Sequence, residues 1–193
     1  MPVSAASDHD DGASLAFRRL FRRHYAFVWR SLRAMGLNDS SADDASQEVF
    51  MVLHRRLGEY DPGRDLRGWL YGIARMIARK HGEQRQREHR RRQRLRDGSP
   101  PEAPLVAGET DPEDALRRRQ AADVVQAFLD RLDPDQRQVF VLAEIEALPA
   151  PQIARMLDVS VNTVYSRLRL ARERFAAYVK RRRAIDHRES RSG

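Results

Sequence analysis

The chain of 193 residues is expected to be all-α, with two small helical domains joined by a flexible linker. Two observations carry the helical class. Apolar residues recur mostly three and four positions apart, and no run alternates apolar and polar residues over strand length. A third observation divides the chain. Residues 79–96 hold nine basic and two acidic residues, and residues 97–116 then hold six acidic and no basic ones. With 193 residues shared between two halves, each core is modest.

Taken in order, residues 1–14 are small, acidic and without periodicity, which predicts a disordered lead. From Leu15 the residues Phe17, Leu20, Phe21, Tyr25, Val28, Trp29 and Leu32 mark an amphipathic helix that ends near Gly36, a residue suited to a left-handed C-cap. Ser41 and Asp44 resemble a capping pair for a second helix carrying Ala45, Val49, Val52 and Leu53. The loop "EYDPGRD" follows, and Asp65 is placed to cap a third helix with Leu66, Trp69, Leu70, Ile73 and Ile77. These elements define a first domain over residues 15–96. The Pro- and Gly-rich stretch 97–111 is expected to be a flexible acidic spacer.

A second domain spans residues 112–183, followed by a tail over 184–193. Asp111-Pro-Glu-Asp and Asp133-Pro134-Asp135-Gln136 are start signals for two helices, the first apolar at Val124, Val125, Phe128, Leu129 and Leu132, the second at Val139, Phe140, Leu142 and Ile145. Then comes "IARMLDVSVNTVYSRLRLARERF", a short helix, a break and a longer helix. Ile153, Ala154 and Leu157 face inward in the first, and Val164, Leu168, Ala171, Phe175 and Val179 in the second. Asp158 falls where such turns go left-handed, and Ser160 is placed to cap the longer helix. This is the helix-turn-helix pattern. It leaves Asn162, Thr163, Ser166, Arg169 and Leu170 outward, with Arg167 and Arg174 beside them. Arg can donate two bonds to guanine, Asn can pair with adenine, and Ser or Thr can hold phosphates, so this set has the chemistry that groove reading requires.

Composition agrees with a polyanion partner: 36 Lys plus Arg exceed 28 Asp plus Glu, for a formal charge of +8. Arginine greatly outnumbers lysine, as suits planar contacts to phosphate. Cysteine is absent, which removes disulfides, thiol nucleophiles and cysteine metal sites. No apolar run approaches the roughly 18 residues of a membrane span, and no phosphate loop, His-Glu-x-x-His pair or serine triad is present. The expectation is a cytoplasmic protein, not membrane-embedded, that is no enzyme and uses no metal, cofactor or small-molecule substrate.

The stretch "ADDASQEVFMVLHRRLGEYDPGRDLRGWLYGIAR" resembles the core domain, region 2, of bacterial RNA polymerase sigma factors of the extracytoplasmic-function (ECF) group. "LDPDQRQVFVLAEIEALPAPQIARMLDVSVNTVYSRLRLAR" is similar to the same group's upstream-element-binding domain, region 4. Both matches stand in the family's order and spacing. The resemblance implies a factor that binds core RNA polymerase, takes it to a two-part promoter and opens the downstream part. It implies that Gln47, Glu48, Met51 and His54 dock on polymerase, and that Tyr60 stacks on a base flipped out of the downstream element. Arg64, Arg67, Arg75, Arg79 and Lys80 would track the separated strand, and Asn162, Thr163, Ser166, Arg167 and Arg169 would read the upstream element. Trp69 and Leu70 match the family's Trp-Leu pair and are assigned to packing by their spacing. Family members are often restrained by an anti-sigma factor, which becomes an expected partner beside promoter DNA. The chain departs from the family pattern at Met76, Lys80 and Glu83, where Asn, Asp and Arg are usual, and at Gln152, where Glu is usual. Two other readings use the same residues: a stand-alone helix-turn-helix regulator, which would not co-purify with polymerase, and an all-α interaction protein, which leaves the basic faces unexplained.

Overall fold

The structure is a computed structural model and describes residues 7–61, 63, 65–93 and 122–189. Every regular element among them is helical, and the chain separates into two units, residues 1–103 and 104–193. The acidic stretch 97–111 lies outside the described residues.

The first unit contains α1 (Ser7–Ala34), α2 (Asp39–Arg55), a single 3₁₀ turn (Leu57–Glu59) and α3 (Leu66–Gln93). α1 begins eight residues before the expected start at Leu15. Of the expected disordered lead, residues 7–14 are helical and residues 1–6 lie outside the described residues. α1 closes as anticipated: Gly36 takes φ 97°, and the Leu37 and Gly36 amides donate to the Leu32 and Arg33 carbonyls. The start of α2 differs from the expected Ser41–Asp44 pair. Asn38 is the cap, its side chain accepting from the Ser41 amide at 2.9 Å, because the helix already begins at Asp39. At α3, Gly68 leaves room for the Asp65 carboxylate: a Cβ there would lie 2.8 Å from Asp65 Oδ2.

The core of this unit is where the three helices meet: Phe27, Val28 and Leu32 against Val49, Phe50 and Leu53, with Leu70, Tyr71, Ala74 and Ile77 from α3. Ser31 and Ser46 are buried with them and donate to the Phe27 and Ala42 carbonyls of their own helices, which satisfies the hydroxyls. Asp43 ties α2 to α1 by accepting from Trp29 Nε1 at 2.8 Å and from the Tyr25 hydroxyl at 3.1 Å. Burial and then the Asp43 charge push the Tyr25 phenol up from its ordinary value.

The second unit contains α4 (residues 122–129), α5 (Pro134–Phe140), which widens into a π turn (Val141–Ile145), then α6 (Ala150–Leu157) and α7 (Val161–Glu189). Asp133 caps α5 by accepting from the Gln136 amide at 2.9 Å, with Pro134 at the first helical position. Phe128 centres the core, its ring near those of Phe140, Phe175 and Tyr178. Val139, Leu142, Ile153, Val164, Leu168 and Ala171 complete it. The inward stripe of α7 ends on Tyr178, which is buried, and Val179 is only partly covered. The Tyr178 ring packs under the Arg131 guanidinium, 5.0 Å from its centroid, a partner that only the tertiary fold supplies.

Candidate nucleic-acid and polymerase interfaces

The turn between α6 and α7 has the backbone its sequence predicts. Asp158 sits in the left-handed region at φ 58°, ψ 50°, and the Val159 amide donates back to the Ala154 carbonyl. Ser160 then caps α7, its hydroxyl accepting from the Thr163 amide at 3.0 Å and lying 2.8 Å from the Thr163 hydroxyl. Ile153, Ala154, Val164 and Leu168 bury the inner faces of both helices, so the outer face of α7 is fixed in orientation.

That face does not treat the five predicted residues alike. Asn162, Ser166 and Arg169 are exposed on it, and Arg169 also forms an i,i+4 pair with Glu173 at 2.8 Å. Thr163 is partly covered by its role beside Ser160. Arg167 is turned back into the unit, its guanidinium paired with Asp135 of α5. Arg174 does likewise, donating to Gln136 at 2.7 Å, and Arg172 donates twice to Glu144 in the π turn at 2.7 and 2.9 Å. These contacts link residues about 30 or more apart in sequence, which helical spacing does not reveal. Tyr165 is the residue that spacing passed over. It is 57% exposed on the first turns of α7, between the inward and outward stripes.

In the first unit, Gln47, Met51 and His54 share the exposed side of α2, and Met51 is 50% exposed. They line one wall of a groove of about 320 Å³ whose floor is Phe17, Phe21 and Phe50. His54 is fixed there edge-on to Phe17, ring centroids 4.8 Å apart. Glu48, expected beside Gln47 at the same interface, instead faces α3: Lys80 Nζ lies 3.1 Å from Glu48 Oε2 and His81 Nε2 lies 2.7 Å from Oε1. Burial alone would raise the Glu48 carboxyl, but the hydrogen bonds from His81 and Lys80 outweigh it and hold it below its ordinary value. Lys80, expected on DNA, is the other half of this pair.

A group whose folded-state pKa is depressed contributes stability above its unfolded pKa and loses it as pH falls through the folded value. Glu48→Gln is therefore expected to lower the stability of the first unit by about 0.5–1 kcal/mol at neutral pH, the range of a partly exposed pair. The difference from the parent protein should fade in acid, below the ordinary carboxylate range. Thermal melts across pH check this, and a constant difference down to the most acid point would remove Glu48 from the tie.

The Tyr60 loop brings two aromatic side chains together. Tyr60 lies nearly parallel to Trp69, with ring centroids 5.4 Å apart and planes 16° from one another. Both rings are only partly buried, so Trp69 is not the core residue its spacing predicts, whereas Leu70 is fully buried. Arg75 and Arg79 are exposed along α3, Arg79 at 3.9 Å from Glu83. Arg67 covers the Phe27 ring at 5.3 Å, next to His24, whose ring burial, then Arg23 and Arg67, hold below its ordinary value. Arg64 lies outside the described residues. Among the described residues no cluster of His, Asp and Glu is arranged to hold a metal, and no helix is long and apolar enough to cross a membrane.

The capped helix-turn-helix of the second unit is an arrangement used by DNA-binding proteins, and the three-helix unit adds an exposed apolar groove. Comparison with known proteins makes the class specific. The Sigma-70 region 2 family matches residues 20–95 and the Sigma-70, region 4 family matches residues 122–175. The ECF RNA polymerase sigma factor SigM of Mycobacterium tuberculosis is 31% identical over 87% of this chain and 79% of its own length. The RNA polymerase sigma factor CnrH of Cupriavidus metallidurans is 29% identical over 89% of this chain and 91% of its own. The solved structure of CnrH in complex with the cytosolic domain of CnrY superposes with a TM-score of 0.58, at 26% identity, covering 91% of this chain and 94% of that one. The chain belongs to the ECF group of RNA polymerase sigma factors, and its function is promoter-specific transcription initiation with core RNA polymerase.

Proposed function

We propose the following division of labour within this sigma factor. The first unit docks on core polymerase through Gln47, Met51 and His54, and the groove floored by Phe17, Phe21 and Phe50 takes an apolar side chain of the partner. Glu48 holds α3 in register on α2 rather than meeting polymerase directly. The Tyr60–Trp69 stack is the platform for a base unstacked from the downstream element, with Arg75 and Arg79 along the displaced strand. The second unit reads the upstream element with Asn162, Ser166 and Arg169, helped by Tyr165, while Thr163 and Arg167 hold the reading helix in place. The protein works in the cytoplasm and carries out no chemistry itself. Because CnrH is held by the cytosolic domain of CnrY in its solved structure, an anti-sigma partner is proposed here too.

The observation that supports this placement best is Met51, half exposed above three aromatic rings on a helix that is otherwise well packed. Large apolar side chains grouped at a surface mark partner sites. Met51→Asp puts a charge into that contact and is expected to reduce affinity for purified core polymerase at least tenfold with the fold intact. Unchanged affinity would move the docking surface off this face.

The two arginines of α7 should separate. Arg169→Ala is expected to weaken binding to the upstream element by about 1–3 kcal/mol if it contacts a base, with the second unit melting normally. Arg167→Ala is expected to cost at most about 1 kcal/mol of that unit's stability, as an accessible ion pair does, with a smaller loss of binding. Affinity and melting measured together distinguish them; a full binding loss in Arg167→Ala without any change in melting would return it to the reading face.

A further inference from the structure

α1 carries a stripe of arginine that nothing in the division of labour uses. Arg18, Arg19, Arg22 and Arg23 are all exposed, on the side of the helix opposite Phe27, Val28 and Leu32. Elsewhere the fold tends to neutralise its arginines: Arg33 meets Asp39, Arg56 meets Glu59, Arg167 meets Asp135 and Arg172 meets Glu144. The stripe has no such partner within a turn of its own helix. No Asp or Glu occurs between Asp11 and Asp39, so every position three or four residues from these arginines is neutral or basic. Arg18 with Arg22, and Arg19 with Arg23, are like charges one turn apart, an arrangement that destabilises a helix unless an outside partner neutralises it.

We propose that this stripe lies along the phosphate backbone of promoter DNA. The two rows step about 6 Å along the helix, close to twice the roughly 3.4 Å axial spacing of phosphates in one strand. Guanidinium groups in this density suit phosphate, and the stripe offers only Leu15 and Ala26 as apolar relief, too little for a protein interface centred on buried anchors. The contact is independent of sequence, so it adds affinity to any promoter that the reading residues select. The inference rests on the first unit's working at DNA.

The test compares holoenzyme carrying Arg18→Gln, Arg19→Gln, Arg22→Gln and Arg23→Gln together with holoenzyme carrying Lys at all four positions. Promoter affinity is measured as a function of salt, and core-polymerase affinity separately. Each lost phosphate contact removes about 0.9 from the salt slope, so the Gln variant should show a slope shallower by about 2 to 3. Between 50 and 200 mM salt its affinity should then fall about 16- to 64-fold less than the parent's, alike on strong and weakened promoters. Core affinity should be unchanged, and the Lys variant should keep the parent slope. A parent-like slope in the Gln variant overturns the proposal, as does a drop in core affinity with no change of slope, which would assign the stripe to an acidic protein surface. Tyr60→Ala measured alongside separates the two levels: a parent-like Gln variant beside a defective Tyr60→Ala sinks the stripe alone, whereas normal behaviour in both removes the first unit from the DNA.

Discussion

Phe128→Ala is expected to unfold the second unit and leave the first intact. The Phe128 ring is 2% exposed and meets Phe140 at 5.2 Å, Phe175 at 4.9 Å and Tyr178 at 5.6 Å between centroids. Truncating a buried Phe costs about 3–5 kcal/mol, since the lost transfer energy is joined by a cavity that aromatic neighbours fill poorly. A unit of this length has roughly 3–10 kcal/mol of stability in total. This one change therefore removes about a third or more of it, and the whole of it at the lower end of that range. The recognition helix would lose its support from α4 and α5, so upstream-element binding should disappear while affinity for core polymerase is retained. Circular dichroism should show loss of part of the helical signal at ambient temperature. A variant that melts like the parent protein would show that the aromatic cluster is not what holds this unit together.

Tyr60→Ala is expected to leave core binding in place and to reduce transcription from duplex promoters strongly. Stacking a base on an aromatic ring is worth roughly 1–3 kcal/mol, which offsets much of the cost of taking that base out of the duplex. In this fold the ring is backed by Trp69, a contact that would hold the proposed platform in one orientation ahead of DNA binding. A template already unpaired around the downstream element should recover most of the loss, because the unpairing cost has then been met. Equal defects on paired and unpaired templates would assign Tyr60 to packing within its own unit. Trp69→Ala should then behave as a weaker form of Tyr60→Ala, since it loosens the platform and leaves one ring to stack.

Most of the architecture was legible because it depends on neighbours within a few residues. The inward stripes at Val164, Leu168 and Ala171, the cap at Ser160, the left-handed Asp158 and the turn at Gly36 each follow from a local rule. What escaped depends on distant parts of the chain. Asn38 captures the cap of α2 because the helix starts at Asp39, ahead of Ser41, and Tyr178 enters the core because Arg131 covers its ring. Arg167 and Glu48 look like free charges in the sequence, and only the packing of α5 on α7 and of α3 on α2 supplies their partners. Trp69 follows the spacing of a core residue but lies at the margin where the Tyr60 loop returns. The elements that carry the candidate site were therefore readable, and less so which side chains on each element remain available.

Both tryptophans of the chain, Trp29 and Trp69, belong to the first unit, and they stand in unlike surroundings. Trp29 donates its indole proton to Asp43 between α1 and α2, while Trp69 shares a stack with Tyr60 at the loop. Selective excitation of indole is therefore an optical label for one half of the molecule, with no dye attached. A denaturant titration followed by indole emission should trace the three-helix unit alone, and far-ultraviolet dichroism should trace both, so that non-coincident curves measure their separate stabilities. With Trp29 replaced by phenylalanine, the remaining indole sits at the proposed base platform, and its emission during promoter opening would time the arrival of the unstacked base directly.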